Sequence, residues 1–295
     1  MSDPEHGPID PPVPLPQEIA PAESVPADEL WRRPTENPRV PLPQAELFPA
    51  WSGWDLAAVL GFTVAAVAVF GMLAVGVAQV ATSKQHVPLG ELATNTIVVV
   101  GSQIVAYPVV ILFMVLLVRS KSRAGFWQAI RWNWPGTAAP AFLISGMAFA
   151  LMVDFISRYL PIPKSLPVDK YFSDITGAYL MLGFGITLAP LVEELLFRGM
   201  LYPLVRRAAG VTPAVLVTAT TFAFIHGAQL GYAWAPLLSI FVVSVVFTLV
   251  RERTGSVAAS FLVHCGYNLA LFGALWVGSG HFRHLEKVTN SGCYR

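Results

Sequence analysis

Residues 190–204 read PLVEELLFRGMLYPL and place two glutamates and one arginine inside an otherwise apolar run. Apolar residues continue for many positions before it, so the segment has the composition of a membrane-spanning helix. A charge at the bilayer centre costs roughly 2.5–3.5 kcal/mol on insertion scales. Glu193, Glu194 and Arg198 must therefore be paired or hydrated, and they are functional candidates by default.

Helical spacing separates the two glutamates. Glu194 and Arg198 are four residues apart, so they share one face in the orientation that favours an ion pair. Glu193 is rotated by about 100° around the helix and has Phe197 at the corresponding position. We therefore predict that Glu194 is structural and that Glu193 is available for chemistry. A purely structural knot of all three charges is the alternative.

The whole chain has the composition of a polytopic membrane protein. It has 295 residues, of which 55% are hydrophobic and 13% charged, against about 25% charged residues in an average soluble domain. The formal net charge of +1 and the absence of a basic block argue against nucleic acid as a partner.

Seven apolar segments follow an acidic, Pro-rich N-terminal tail, and each approaches the ~20 residues that span hydrocarbon. The predicted fold class is all-α, a polytopic membrane protein with about seven transmembrane helices. The segments are Trp54–Ala81, Thr96–Val118, Ala138–Ile156, Ile175–Val205, Pro213–Leu230, Ala235–Val250 and Ser256–Val277. The tail is predicted to be disordered and is a candidate for binding a partner. Residues 124–136, AGFWQAIRWNWPG, predict an interfacial amphipathic helix with an aromatic anchor.

Lysines and arginines are more numerous in the tail and in the loops on its side of the predicted bundle. The positive-inside rule therefore predicts a multi-pass protein of the cell membrane with a cytoplasmic N-terminus.

Two later segments also carry polar pairs at helical spacing. TFAFIHGAQLG, residues 221–231, places Phe222 and His226 four residues apart, and SFLVHCGYNLA, residues 260–270, does the same for His264 and Asn268. Taken singly, His226 is best explained as a packing residue, and the His264 and Asn268 pair as a helix–helix contact. Three of the predicted spans thus each carry polar residues on one helical face. This combination favours a common site more than any one pair does.

A carboxylate, two imidazoles and a carboxamide in a bilayer suit two kinds of chemistry. Glu193 and His226 could deprotonate a water, while His264 and Asn268 stabilise the oxyanion that forms. Alternatively, Glu193, His226 and His264 could bind one metal ion such as zinc. The residues alone leave both possibilities open.

The three motifs resemble those of the CPBP/Abi family of intramembrane proteases, which includes the type II CAAX prenyl endopeptidases. EELLFR at 193–198 resembles EExxxR, FAFIH at 222–226 resembles FxxxH, and HCGYN at 264–268 resembles HxxxN/D. The resemblance covers roughly residues 175–271. It implies Glu193 as catalytic glutamate, His226 as helper in water activation, and His264 with Asn268 as oxyanion site. Glu194 and Arg198, with Phe222, would support the site.

The spans and the resemblance together predict four regions and a substrate class. The regions are a disordered cytoplasmic tail (1–50), N-terminal transmembrane helices (51–174), a catalytic core (175–278) and a C-terminal tail (279–295). The substrate would be a membrane-associated peptide or protein, with CAAX processing of a lipidated one as the narrower expectation. The family permits a metal-free glutamate peptidase or a zinc metalloendopeptidase. The alternative function is a non-catalytic scaffold or bacteriocin-immunity protein; a proton-coupled transporter is less favoured because no inverted halves are seen.

Overall fold

The computed structural model describes residues 49–284, so most of the two predicted tails, 1–50 and 279–295, lies outside the described residues. The described part is built from helices joined by short connections and contains no strand. Its α-helices are α1 Gly53–Ala81, α2 Leu89–Thr94, α3 Thr96–Lys121, α4 Phe126–Ala129, α5 Ala139–Ser157, α6 Ile175–Ile186, α7 Leu188–Glu194, α8 Tyr202–Ala209, α9 Val211–Ile225, α10 Trp234–Thr254 and α11 Val257–Gly278.

The predicted all-α membrane fold is confirmed. Six of the described helical segments are long and apolar enough to cross a membrane, and the helical run 175–209 counts as one of them. The remaining predicted span is α9, Val211–Ile225, which is apolar but has only 15 residues. At 1.5 Å per residue it measures about 22 Å, shorter than the ~30 Å hydrocarbon layer. His226 follows directly after its last turn.

Helices α1 and α3 pair through large apolar side chains and begin with polar caps. Ser52 and Asp55 form a capping box at the start of α1, and the Asn95 side chain accepts from the first amides of α3. The rings of Phe62 and Phe113 stack with centroids 4.3 Å apart. The caps accept hydrogen bonds from the free amides at the start of each helix. Leaving these amides unpaired would be costly where no water is present.

Helices α5 and α11 approach each other at two glycines. A methyl group added at Gly146 would overlap the carbonyl of Val263, and one added at Gly266 would overlap the carbonyl of Leu143. Glycine therefore permits backbone contact at this crossing, as small residues generally do between membrane helices. The contact fixes the α11 turn that carries His264.

The long run 175–209 is broken before the charged motif and again within it. Pro190 has no N–H, so the carbonyl of Ile186 loses its usual helical donor, and the helix is interrupted at Thr187. From Leu195 to Leu201 the chain forms a π-helix, which then continues into α8. Segments of π-helix occur frequently at functional sites.

The segment predicted as an interfacial amphipathic helix is helical over only four residues, Phe126–Ala129. Arg131 has φ 60°, which ends the helix, and its carbonyl accepts from the amide of Val257 at 3.0 Å. The Ser256 hydroxyl donates to the carbonyl of Asn133. The aromatic residues were correctly placed in a connection, but tertiary bonds to the start of α11 replace the longer helix.

We predict that Gly266→Leu disrupts the α5–α11 crossing, because the new side chain would overlap the backbone of α5. The matched control is Gly273→Leu on the same helix, where an added Cβ meets no atom within 4 Å. Thermal unfolding in detergent should show a clear fall in Tm for Gly266→Leu only. Equal effects of the two substitutions would contradict the packing argument.

Candidate active site

The predicted ion pair between Glu194 and Arg198 is formed at the start of the π-helix. Arg198 Nη1 lies 2.9 Å from Glu194 Oε1, and both side chains are fully buried. The pairing offsets the cost of placing two charges in apolar surroundings, which neither could bear alone.

Arg198 is saturated by further partners on α10. Its Nη2 donates to the Ser244 hydroxyl at 2.7 Å and to the Ser244 carbonyl at 3.0 Å, while its Nε donates to the Thr248 hydroxyl at 3.3 Å. The guanidinium also lies 4.7 Å from the ring centroid of Phe222 and 5.4 Å from that of Phe247. Such cation–π contacts are strongest where the cation is desolvated. Arg198 thus ties the π-helix to α9 and α10.

Glu194 has further partners on α11. The Ser260 hydroxyl donates to Glu194 Oε2 at 2.6 Å, and His264 Nδ1 lies 3.0 Å from Glu194 Oε1. Since Glu194 is an acceptor held by Arg198, His264 Nδ1 is assigned as the donor. Glu194 therefore orients the His264 ring and directs its Nε2 away from the pair.

Glu193 faces the two imidazoles. Its Oε2 lies 3.6 Å from His264 Nε2, and its Oε1 lies 4.0 Å from His226 Nε2. His226 Nδ1 lies 2.8 Å from the Phe222 carbonyl, which can only accept, so this nitrogen carries the proton. In the neutral ring, His226 Nε2 is then a proton acceptor pointing towards Glu193. Unlike the Glu194 side chain, the Glu193 carboxylate is partly accessible.

Asn268 lies one turn beyond His264, and its side chain is engaged at the helix break. Its Nδ2 donates to the carbonyl of Gly185 at 2.7 Å. Gly185 lies at the end of α6, just before the interruption, where carbonyls lack regular helical donors. One amide hydrogen of Asn268 is therefore used to satisfy backbone, and the other is not involved in this bond.

Four residues of this cluster were missed by the sequence reasoning: Ser244, Phe247, Thr248 and Ser260. A signal for the polar ones existed in helical spacing. Ser260 precedes His264 by four residues, and Ser244 precedes Thr248 by four on an otherwise apolar span. Phe247 gave no signal, because one phenylalanine among many on a membrane helix is ordinary.

The predicted donor set for a metal fits zinc in residue type but not in spacing. Glu193, His226 and His264 are ligand types that zinc accepts, with bonds of about 2.0–2.2 Å. Nevertheless, residues 49–284 contain no group of three or more His, Cys, Asp or Glu arranged to hold a metal ion.

The fold and this site define the class of an all-helical membrane protein with a buried, partly accessible acid–imidazole cluster. Comparison with protein families matches residues 175–270 to the family described as type II CAAX prenyl endopeptidase Rce1-like. The match contains all three motifs and covers about a third of the chain. Residues 175–270 are therefore similar to this endopeptidase family, which confirms the predicted resemblance. Comparisons with curated proteins and with solved structures gave no match.

We predict that Arg198→Met is strongly destabilising, by about 3–5 kcal/mol, because it leaves Glu194 as an uncompensated buried charge. The control is Arg158→Met. Arg158 pairs with Asp154 at the same spacing and at 2.8 Å, but its side chain is 49% exposed. An exposed pair of this kind contributes about 0–1 kcal/mol. Similar losses of thermal stability in the two variants would contradict the assigned role of Arg198.

Proposed function

We propose that the protein is an intramembrane endopeptidase that hydrolyses a peptide bond in a membrane-associated peptide or protein. The observation that carries this proposal is the contrast between the two adjacent glutamates. Glu194 is fully occupied by Arg198, Ser260 and His264, whereas Glu193 faces two imidazole nitrogens at 3.6 and 4.0 Å. A scaffold has no need of a second, accessible carboxylate beside two imidazoles.

In the proposed reaction Glu193 acts as the general base. The separations from Glu193 to the two Nε2 atoms exceed a direct hydrogen bond of about 2.7–3.2 Å and suit a water that bridges them. Glu193 takes a proton from this water, and the resulting hydroxide bonds to the carbonyl carbon of the substrate. The C–N bond then breaks, and the proton held by Glu193 passes to the leaving amine.

His226 and His264 have different roles in this proposal. His226, with its proton fixed on Nδ1 by the Phe222 carbonyl, accepts a hydrogen bond from the attacking water through Nε2. His264 is held by Glu194 through Nδ1 and directs Nε2 towards Glu193. When its ring is doubly protonated, the Nε2 proton can be donated to the oxyanion, together with the second amide hydrogen of Asn268.

An apolar groove provides a reason to expect a lipidated or hydrophobic substrate. The groove has a volume of about 440 Å³ and lies between Ile104 of α3 and the helix break at Thr187. Residues of α6, among them Gly183 and Phe184, also line it. Thr187 lies less than two helical turns before Glu193 in the same run, so an apolar chain bound there would lie close to the site.

We further propose that residues 175–278 form the catalytic core and that residues 51–174 complete its membrane-embedded walls. The charge bias of the loops supports a cytoplasmic N-terminus. The site would then be reached from the cytoplasmic leaflet or from the lipid. The N-terminal tail remains a candidate for binding a partner.

We predict that Glu193→Gln lowers kcat by about 10²–10⁴-fold, the usual contribution of a general base, without loss of the fold. Purified protein in detergent would be tested on a panel of membrane-anchored peptides beside His226→Ala. Glu91→Gln is the control because Glu91 is an exposed glutamate on α2. Full activity of Glu193→Gln would refute the assignment.

The same assay with a zinc chelator distinguishes the two chemistries. Cleavage that persists under chelator supports the proposed metal-free route. Cleavage that is lost under chelator and restored by zinc would instead make Glu193, His226 and His264 metal ligands. Absence of cleavage by folded wild type over the whole panel would favour the scaffold or immunity function.

We predict that Gly183→Leu raises KM for a lipidated peptide more than for its unlipidated counterpart, because the leucine fills the apolar groove. Gly76→Leu is the matched control. Both glycines are exposed on helices and an added Cβ meets no atom within 4 Å at either. Equal KM changes with the two peptides would argue against the groove as a lipid site.

A further inference from the structure

A second cavity, lined by residues of α8 and α10, is strongly basic. It has a volume of about 230 Å³, several times the ~30 Å³ that one water occupies in the liquid. Its charged lining consists of Arg131, Arg206, Arg207, Arg251 and Glu252. Four arginines and one glutamate give this lining a formal charge of three positive.

The acid in that described lining is already engaged through both oxygens. The Tyr202 hydroxyl donates to Glu252 Oε2 at 2.6 Å, and Arg206 Nη2 donates to Glu252 Oε1 at 2.8 Å. Even with Arg206 paired to Glu252, the lining keeps its excess of positive charge.

Arg251 is the buried cation of this cavity. Its side chain is only 4% exposed, and its Nε has no hydrogen-bond partner among the described residues. A buried guanidinium N–H without a partner is costly, and such groups are usually satisfied by an ion, a water or a ligand. Arg198 differs, because its Nε, Nη1 and Nη2 all donate to protein acceptors.

The backbone at Arg131 is held in a fixed conformation beside the cavity. Arg131 has φ 60°, a region that residues with a Cβ rarely adopt. Its amide donates to the Gln128 carbonyl at 3.0 Å, and its own carbonyl accepts from Val257 at 3.0 Å, so the conformation is held from both sides. The position of Arg131 in the lining is therefore set by the fold.

The position of the cavity indicates where its ligand comes from. It lies at the ends of the spanning segments 175–209 and 234–254, beside the aromatic connection 124–136. Trp127 and Trp134 in that connection are 47% and 58% exposed, as expected for tryptophans at the depth of lipid headgroups. Basic pockets between membrane helices at this depth bind anionic headgroups.

We propose that this cavity binds the phosphate group of an anionic phospholipid, with Arg131 and Arg251 as its principal donors. Guanidinium groups form paired hydrogen bonds with phosphate oxygens. A zwitterionic headgroup also carries a cation, which would be repelled by the arginines and would weaken its binding. The proposal concerns binding only and is independent of the peptidase reaction.

The test measures binding of short-chain phosphatidic acid to the full-length purified protein in neutral detergent, with short-chain phosphatidylcholine as the comparison lipid. Wild type should bind phosphatidic acid at least ~10-fold more tightly, as the gain of one charged hydrogen bond implies. Added salt should weaken this binding, and inorganic phosphate should compete with it.

Two variants and a control locate the site. Arg251→Gln should remove most of the preference, and Arg131→Asn should do the same with little risk to folding, because asparagine tolerates a positive φ. The control is Arg253→Gln, which removes an exposed arginine of the same helix as Arg251 that does not line the cavity. The control should bind like wild type.

Several outcomes would overturn the proposal. Equal affinity for the two lipids would mean that the cavity does not select anionic headgroups. If Arg131→Asn and Arg253→Gln lost equal affinity for phosphatidic acid, the binding would be due to the general surface charge and not to this cavity. Tight binding of inorganic phosphate with no preference between the lipids would identify a site for a soluble anion instead.

Discussion

The buried pair of Glu194 and Arg198 is the interaction on which the rest of the structure depends. Neither charge could remain in an apolar bundle alone, so each recruits groups from other helices. Arg198 binds Ser244 and Thr248 on α10, and Glu194 binds Ser260 and His264 on α11. Packing between apolar helices in lipid is weakly specific, whereas a fully satisfied polar cluster has one correct arrangement. The pair thereby fixes the register of three helices around the site.

The irregular backbone of residues 175–209 serves the same cluster. The segment has a break at Thr187 and a π-helix from Leu195, and the two glutamates lie on the short α-helix between them. The carbonyl of Gly185, next to the break, accepts from Asn268, which joins the interruption to the helix that carries His264. Non-helical backbone at membrane depth is tolerated where protein surrounds it.

Much of this arrangement could be predicted from the sequence because its causes are local. The apolar runs set the spans, and the spacing of Glu194 and Arg198 predicted their ion pair. The π-helix could not be predicted, since no residue type encodes it. The helix predicted around Phe126–Ala129 was too long for a similar reason. Asn133 and Arg131 bond to the start of α11, and the local sequence pattern does not reveal such distant partners. The bond from Asn268 to Gly185 also joins positions far apart in the chain.

The two buried arginines illustrate how partner satisfaction separates structure from binding. Both are associated with α10. Arg251 lies on that helix, and Thr248, which binds Arg198, lies about one turn before it. Arg198 has a carboxylate, two hydroxyls and two aromatic rings as partners, so each of its three nitrogens already donates within the protein. Arg251 is almost as deeply buried but keeps an unsatisfied N–H beside a cavity. A purely structural cation would find that acceptor within the chain, as Arg198 does, so the acceptor at Arg251 is best sought outside it.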